Sequence, residues 1–204
     1  MKGETLPCVI GITGASGAPY AQRLLSFFVS QSMPVHLLMT NSARQVIKEE
    51  IGIEMGESKD SIRHGIEKLA GKESNSLITH HDLSDWNSPL ASGSVKTGPM
   101  VVVPCSVHSL SAIAGSHGSN LLERRADIML KERKKLILVF RETPLHAIHL
   151  ENLLKLSRMG ADIMPAMPGF YHHPKTIQDL VDFIVGRILD LLEIPNDLFR
   201  RWKS

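Results

Sequence analysis

Two cysteines, two tryptophans and two tyrosines are all that the 204 residues contain of these types, and aromatics make up only 5%. Cys8 and Cys105 have no C-x-x-C spacing and no cluster of ligands nearby, which rules against a disulfide framework, a zinc knuckle or a redox motif. Each stands in or beside an apolar, strand-like run, as buried free thiols of a reducing compartment do. Long apolar runs are lacking too, so no segment reaches membrane-spanning length. The N-terminus lacks the basic region and apolar core of a signal peptide, and the expected location is the cytoplasm. Nor is there an excess of one charge: 23 Lys and Arg against 21 Asp and Glu give +2. That balance offers no basic face for nucleic acid. The densest run, residues 131–135 (Lys-Glu-Arg-Lys-Lys), reads mainly as the solvated end of a helix.

What remains is an ordinary globular composition, 43% hydrophobic and 22% charged, long enough for one substantial core. No internal repeat or linker interrupts it, so residues 1–204 are expected to form a single domain, with 195–204 as a C-terminal tail. Apolar strand-like runs alternate with helical patterns. Strands are expected at residues 8–13, 35–39, 77–79, 100–103 and 136–140, with a further one beginning at Ile163 before Pro165. Helical spacing lies between them: Tyr20, Leu24, Leu25 and Phe28; a helix capped by Thr40 or Asn41 and running through Ile47; then 106–116, 121–134, 145–159 and 176–193. The last carries Ile177, Leu180, Val181, Ile184, Ile188 and Leu191 along one face. Residues 54–75 look polar and irregular, with a short helix between loops. Residues 86–99 have loop composition, and a loop that long inside a compact domain usually has a task.

This alternation implies βαβ units and a mostly parallel sheet in an α/β domain. Ligands of such sheets bind beyond the carboxyl ends of the strands. Residues 9–18 (Val-Ile-Gly-Ile-Thr-Gly-Ala-Ser-Gly-Ala) run from strand through a small-residue turn into a helix. The first amides of that helix have no internal acceptor and favour an anion, so the turn reads either as a phosphate cradle or as a plain tight turn. It is neither a Walker loop nor a full G-x-G-x-x-G fingerprint. Pro104-Cys105-Ser106-Val107-His108-Ser109 repeats the arrangement after the central strand, with Ser106 either a ligand contact or a bare N-cap. Arg141-Glu142-Thr143-Pro144 puts opposite charges at another strand end, with Pro144 suited to a first helical turn. The arginine can fork onto phosphate and the carboxyl can exchange a proton, or the two can satisfy each other. Tyr171 can donate to a phosphate or form an aromatic wall. The pairs His172–His173 and His146–His149 lack further ligands at recognisable spacing, so no metal is expected. No serine has an assignable His and Asp for a hydrolase triad.

The series Gly-Ala-Ser-Gly-Ala (14–18), Pro-Cys-Ser (104–106), Leu-Lys-Glu-Arg (130–133), Arg-Glu-Thr-Pro-Leu (141–145), Pro-Gly-Phe-Tyr-His (168–172) and Asp-Leu-Phe-Arg-Arg-Trp (197–202) resembles the UbiX/Pad-type flavin prenyltransferases. The resemblance runs from about residue 7 to 202. It implies an α/β, flavodoxin-like (Rossmann-like) three-layer subunit of a dodecameric flavoprotein that joins a dimethylallyl group from dimethylallyl phosphate to N5 and C6 of reduced FMN, without a metal. The product, prenylated FMN, would serve a UbiD-type decarboxylase. By the same resemblance Gly14, Ala15 and Ser16 form the flavin turn, with Ser16 near N5. Thr40, Ser106, Val107, His108, Ser109 and Arg141 are further flavin contacts. Tyr171, Arg187, Arg124 and Lys131 are prenyl-phosphate ligands, Arg124 and Lys131 coming from a neighbouring subunit. Trp86 and Trp202 belong to the aromatic enclosure. Glu142 assists phosphate departure and proton movement, and Glu50 is a second active-site carboxylate. Arg125 stands where the family often has alanine and is left without a role. Two alternatives are an FMN-dependent cysteine decarboxylase, whose relatives typically use a histidine in the first helix region, and a non-catalytic flavin carrier. Residues 19–31 contain no histidine.

Overall fold

The computed structural model describes residues 6–72 and 74–202. Six strands form one parallel sheet: β1 (Cys8–Ile12), β2 (Val35–Met39), β3 (Ile78–His81), β4 (Met100–Cys105), β5 (Leu136–Phe140) and β6 (Asp162–Pro165). Their spatial order is β3-β2-β1-β4-β5-β6. Every neighbouring pair is parallel, with β1 lying between β2 and β4. The chain moves outward in one direction from β1 and then in the other from β4, so the sheet is doubly wound and its switch point lies beyond the carboxyl ends of β1 and β4. β1, β4 and β5 are buried along their full length, as expected of strands covered on both faces.

Helices α1 (Ala18–Ser30), α2 (Asn41–Ile51), α3 (Lys59–Ala70), α4 (Ser74–Leu77), α5 (Val107–Gly115), α6 (Leu121–Lys131), α7 (Ala147–Arg158) and α8 (Ile177–Leu191) complete the two outer layers. One core joins β-strand residues such as Ile10 and Val101 to α1, α3 and α8. The other joins Val9, Val102 and Leu138 on the opposite face to α5 and α6. The parallel sheet is what the strand–helix alternation implied, and the flavodoxin-like three-layer class is what the family resemblance implied.

Several local expectations need correction. Residues 54–75 hold the twelve-residue helix α3, started by Ser58 and burying Ile62, Ile66 and Leu69 against α1. Its apolar residues recur at helical spacing, but the many charges between them mask the stripe. Ile177 is not on the core face of α8, for it is 78% exposed, one residue after the Thr176 capping box where the helix has only begun to pack. Pro144 precedes the α7 cap, His146, and so lies outside the first helical turn. Helix α6 stops at Lys131, and Arg133 turns the chain with φ of 52°. Residues 86–99 contain a 3-10 turn (Pro89–Ala91) whose Leu90 is buried against the α6 side of the sheet. Cys8 and Cys105 are buried free thiols, and burial pushes both up to about 12. No helix among the described residues is long and apolar enough to cross a membrane.

Candidate active site

The carboxyl ends of β1, β2, β4 and β5 open into one cavity of about 480 Å³. Gly14, Thr40, Ser106, Val107, His108, Ser109 and Glu142 line it. These seven come from four different strand ends, and the parallel sheet alone brings them together. Thr40 caps α2 by accepting from the Ala43 amide at 3.1 Å. Ser106 caps α5 by accepting from Ser109 at 3.3 Å. Each hydroxyl is thus tied to a helix start, whose remaining first-turn amides are left to face the cavity. Thr13, wholly buried, locks the two walls together: its hydroxyl donates to the Pro104 carbonyl and accepts from the Ser106 amide, both at 2.8 Å.

Gly14 is required by close approach. A Cβ there would lie 2.4 Å from the Ser42 Cβ, so the first turn could not stay against the start of α2 with any larger residue. Ala15 is buried and Ser16 exposed beside it, outside the lining of this cavity. The anion expected at the α1 N-terminus is present, and it is the chain's own. Glu50 reaches back from α2 and accepts from the Gly17 amide at 2.9 Å and the Ala18 amide at 2.8 Å. The first turn is therefore occupied by a carboxylate, and the reading of that turn as a free phosphate cradle is corrected.

Tyr20, which helical spacing marked only as a core residue, is partly buried beside Glu50 and Arg141; burial first, then Glu50, raises its phenol above the usual value, with Arg141 opposing. The Arg141 Nε is buried and without a partner, and Arg141 makes no ion pair with Glu142 among the described residues. Glu142 instead accepts from the following amide of Thr143 at 2.9 Å and presents its carboxyl to the cavity. The self-satisfied Arg–Glu pair is not what forms. Two helix starts with the hydroxyls of Thr40, Ser106 and Ser109 in the lining suit an anionic ligand such as FMN, and the unpartnered Arg141 Nε follows β5, next in the chain to the lining residue Glu142.

Sequence reasoning missed Glu123. This carboxylate is 1% exposed yet lines the same cavity. Its Oε2 accepts from the amide and hydroxyl of Ser119 at 2.8 and 3.0 Å, and its Oε1 lies 3.9 Å from His108 Nε2. Only its spacing from Asn120, the α6 cap, could have suggested it.

The other predicted groups do not reach this cavity within one chain. Arg124 bonds the Ala91 carbonyl at 3.4 Å and pairs with Asp127 at 3.1 Å. Lys131 pairs with Glu132 at 2.8 Å, and Trp86 is exposed. Tyr171 lies edge-on to Trp202, with centroids 5.3 Å apart, and to Phe183 at 5.8 Å. Arg187 pairs with Asp190 at 2.8 Å, and Arg201 from the C-terminal tail grips the same carboxylate. Two clusters result, one on α6 with the 86–99 segment and one on α8 with the tail. Among the described residues no three or more His, Cys, Asp or Glu are placed to hold a metal ion.

The Flavoprotein family model matches residues 2–189. The chain is 50% identical over 193 residues to the flavin prenyltransferase UbiX of Alkalihalophilus pseudofirmus, covering 95% of this chain and 94% of that one. The crystal structure of AnUbiX with FMN and dimethylallyl pyrophosphate superposes with a TM-score of 0.86 at 36% identity, covering 98% of this chain and 99% of that one. A dodecameric FMN-dependent UbiX-like decarboxylase from Escherichia coli O157:H7 gives 0.83 at 37% identity, covering 98% and 100%.

Proposed function

This chain belongs to the UbiX/Pad-type flavin prenyltransferase family, and we propose that it transfers a dimethylallyl group from dimethylallyl phosphate to N5 and C6 of reduced FMN. The observation that carries this reading is the cavity in which Gly14, Thr40, Ser106–Ser109 and Glu142 meet at the carboxyl ends of the strands. Reduced FMN supplies the nucleophilic N5 and C6 positions when bound. Gly14, Thr40 and the first amides of α5 would hold it, and Ser16 and Arg141 would be further contacts by the family resemblance.

Leaving of the allyl phosphate develops negative charge on its oxygens, which Arg124, Lys131, Tyr171 and Arg187 would stabilise. Trp86 and Trp202 offer faces that suit a cationic allyl group, and enclosure by them keeps water from capturing it. Glu142 would assist departure of the phosphate and later proton movement. Glu50, tied to α1, holds the flavin turn in place and sets the charge beside Tyr20. Because the two donor-side clusters lie apart in one chain, a homo-oligomer, a dodecamer by the family resemblance, would bring them to the cavity of a neighbour. The single domain 1–204 then uses its 195–204 tail, through Trp202, to complete that neighbour's site. The product would pass to a UbiD-type decarboxylase in the cytoplasm.

Anaerobic incubation with reduced FMN and dimethylallyl phosphate, or the pyrophosphate, is expected to give a flavin heavier by one five-carbon unit in mass spectrometry. Finding none with either donor would reject the reading. The cysteine-decarboxylase alternative has no histidine in α1 to work with. A carrier would tolerate Glu142→Gln without change in any activity.

A further inference from the structure

Arg125 is fully buried and is the largest side chain so enclosed among the described residues. A guanidinium removed from water needs compensation, usually a carboxylate. Among the described residues Arg125 forms no ion pair, and its burial lowers the affinity for its proton. Its partners are neutral and belong to one segment. Nη1 donates to the Ser92 carbonyl at 3.4 Å, and Nη2 donates to the Thr97 hydroxyl. One planar fork therefore holds both ends of the turn at residues 93–96.

The same turn lies against the donor-side cluster. Arg124, next along α6, donates to the Ala91 carbonyl one residue before Ser92. A Cβ on Gly93 would come within 3.4 Å of the Lys131 Nζ. Trp86 begins the segment, and Ser88 caps its 3-10 turn. An apolar side chain of similar volume would fill the space of Arg125 without the cost of burying a charge. A cation there gains only the two loop contacts, so those contacts are what distinguish it from a core residue.

We infer that Arg125 is a positioning residue: its buried fork fixes the Ser92 and Thr97 ends of the loop and thereby sets Arg124, Lys131 and Trp86 for the prenyl donor. The donor part rests on the prenyl-transfer reading; the loop part does not. Arg125 does not line the flavin cavity, so FMN binding should be indifferent to it.

The test uses Arg125→Met, which keeps volume, and Thr97→Val, which removes one acceptor should the first variant fold poorly. The native proteins are digested with trypsin, and cleavage after the exposed Lys96 is followed by mass spectrometry. Donor KM, kcat and FMN affinity are then measured. Both variants are expected to cleave at Lys96 at least fivefold faster than wild type and to raise donor KM several-fold. FMN affinity should stay within twofold and melting temperature should not fall in step. Unchanged cleavage at Lys96, or faster cleavage with unchanged donor KM, overturns the proposal. So does a loss of stability that accounts for every change. If the wild type transfers no prenyl group, the prenyl-transfer reading fails by itself, and faster Lys96 cleavage still supports the clamp.

Discussion

The cavity wall proposed to hold the flavin and the groups proposed to hold the prenyl donor differ in what holds them. The wall is made of glycine, hydroxyl residues and helix-start amides at strand ends of one chain. The donor side is made of long cations and aromatics on helix faces and tails. In one chain these face solvent or pair with their own neighbours, Arg124 with Asp127, Lys131 with Glu132 and Arg187 with Asp190. A parallel sheet dictates where its strand ends converge. It says nothing about where a side chain on an outer helix meets its ligand. Exposed pairs of this kind contribute little to stability, about 0–1 kcal/mol each, and so are easily exchanged for a phosphate.

The strongest break in that contrast is expected from Glu142, the one ionisable wall residue read as chemically active. Glu142→Gln should slow prenyl transfer by about 100- to 10,000-fold, the usual range for a positioned acid or base. FMN affinity by fluorescence quenching should barely change. Loss of FMN binding instead would move Glu142 from chemistry to binding.

Gly14→Ala acts on the wall itself. Its Cβ must displace Ser42, itself a cavity-lining residue, so stability should fall by about 1–3 kcal/mol and FMN affinity should fall with the shifted wall. Titration with FMN measures it, and an unchanged affinity would place the flavin elsewhere. Tyr171→Phe acts on the donor side only. Loss of one hydrogen bond to a charged group, about 1.5 kcal/mol or slightly more, should raise donor KM about tenfold with FMN affinity intact. Equal effects on both ligands would erase the distinction between the regions.

The smallest expected effect concerns the tail. Arg201 holds the Asp190 carboxyl below its ordinary 3.8, chiefly through their hydrogen bonds. The folded carboxyl thus binds a proton less readily than the unfolded one. Its stabilising contribution is fully present above the unfolded value and is lost as pH falls through the lower folded value. Hydrogen exchange of residues 195–202, corrected for intrinsic rate, should therefore rise as pH drops below about 4. Asp190→Asn should show that faster exchange at neutral pH as well, and no rise in either case would show that the pair does not hold the tail.

Hydrophobic alternation was enough to read the parallel sheet and to place Gly14, Thr40, Ser106 and Glu142 at its strand ends, while its doubly wound order came only from the structure. Helix α3 escaped that reading because its buried stripe is diluted by charges. Glu123 escaped it because a buried carboxylate announces nothing in a sequence until its enclosure is known. Arg125 had no readable role for the same reason. Glu50 was picked out by resemblance, but its grip on the α1 amides depends on α2 folding back across the first turn.

The order of strands and helices, and the small residues at their junctions, follow from the sequence because period, turn chemistry and backbone geometry are local. The tertiary structure alone decided which anion fills the first turn, which arginine is buried and which cations stay outside the cavity. Those outcomes depend on distances between segments far apart in the chain.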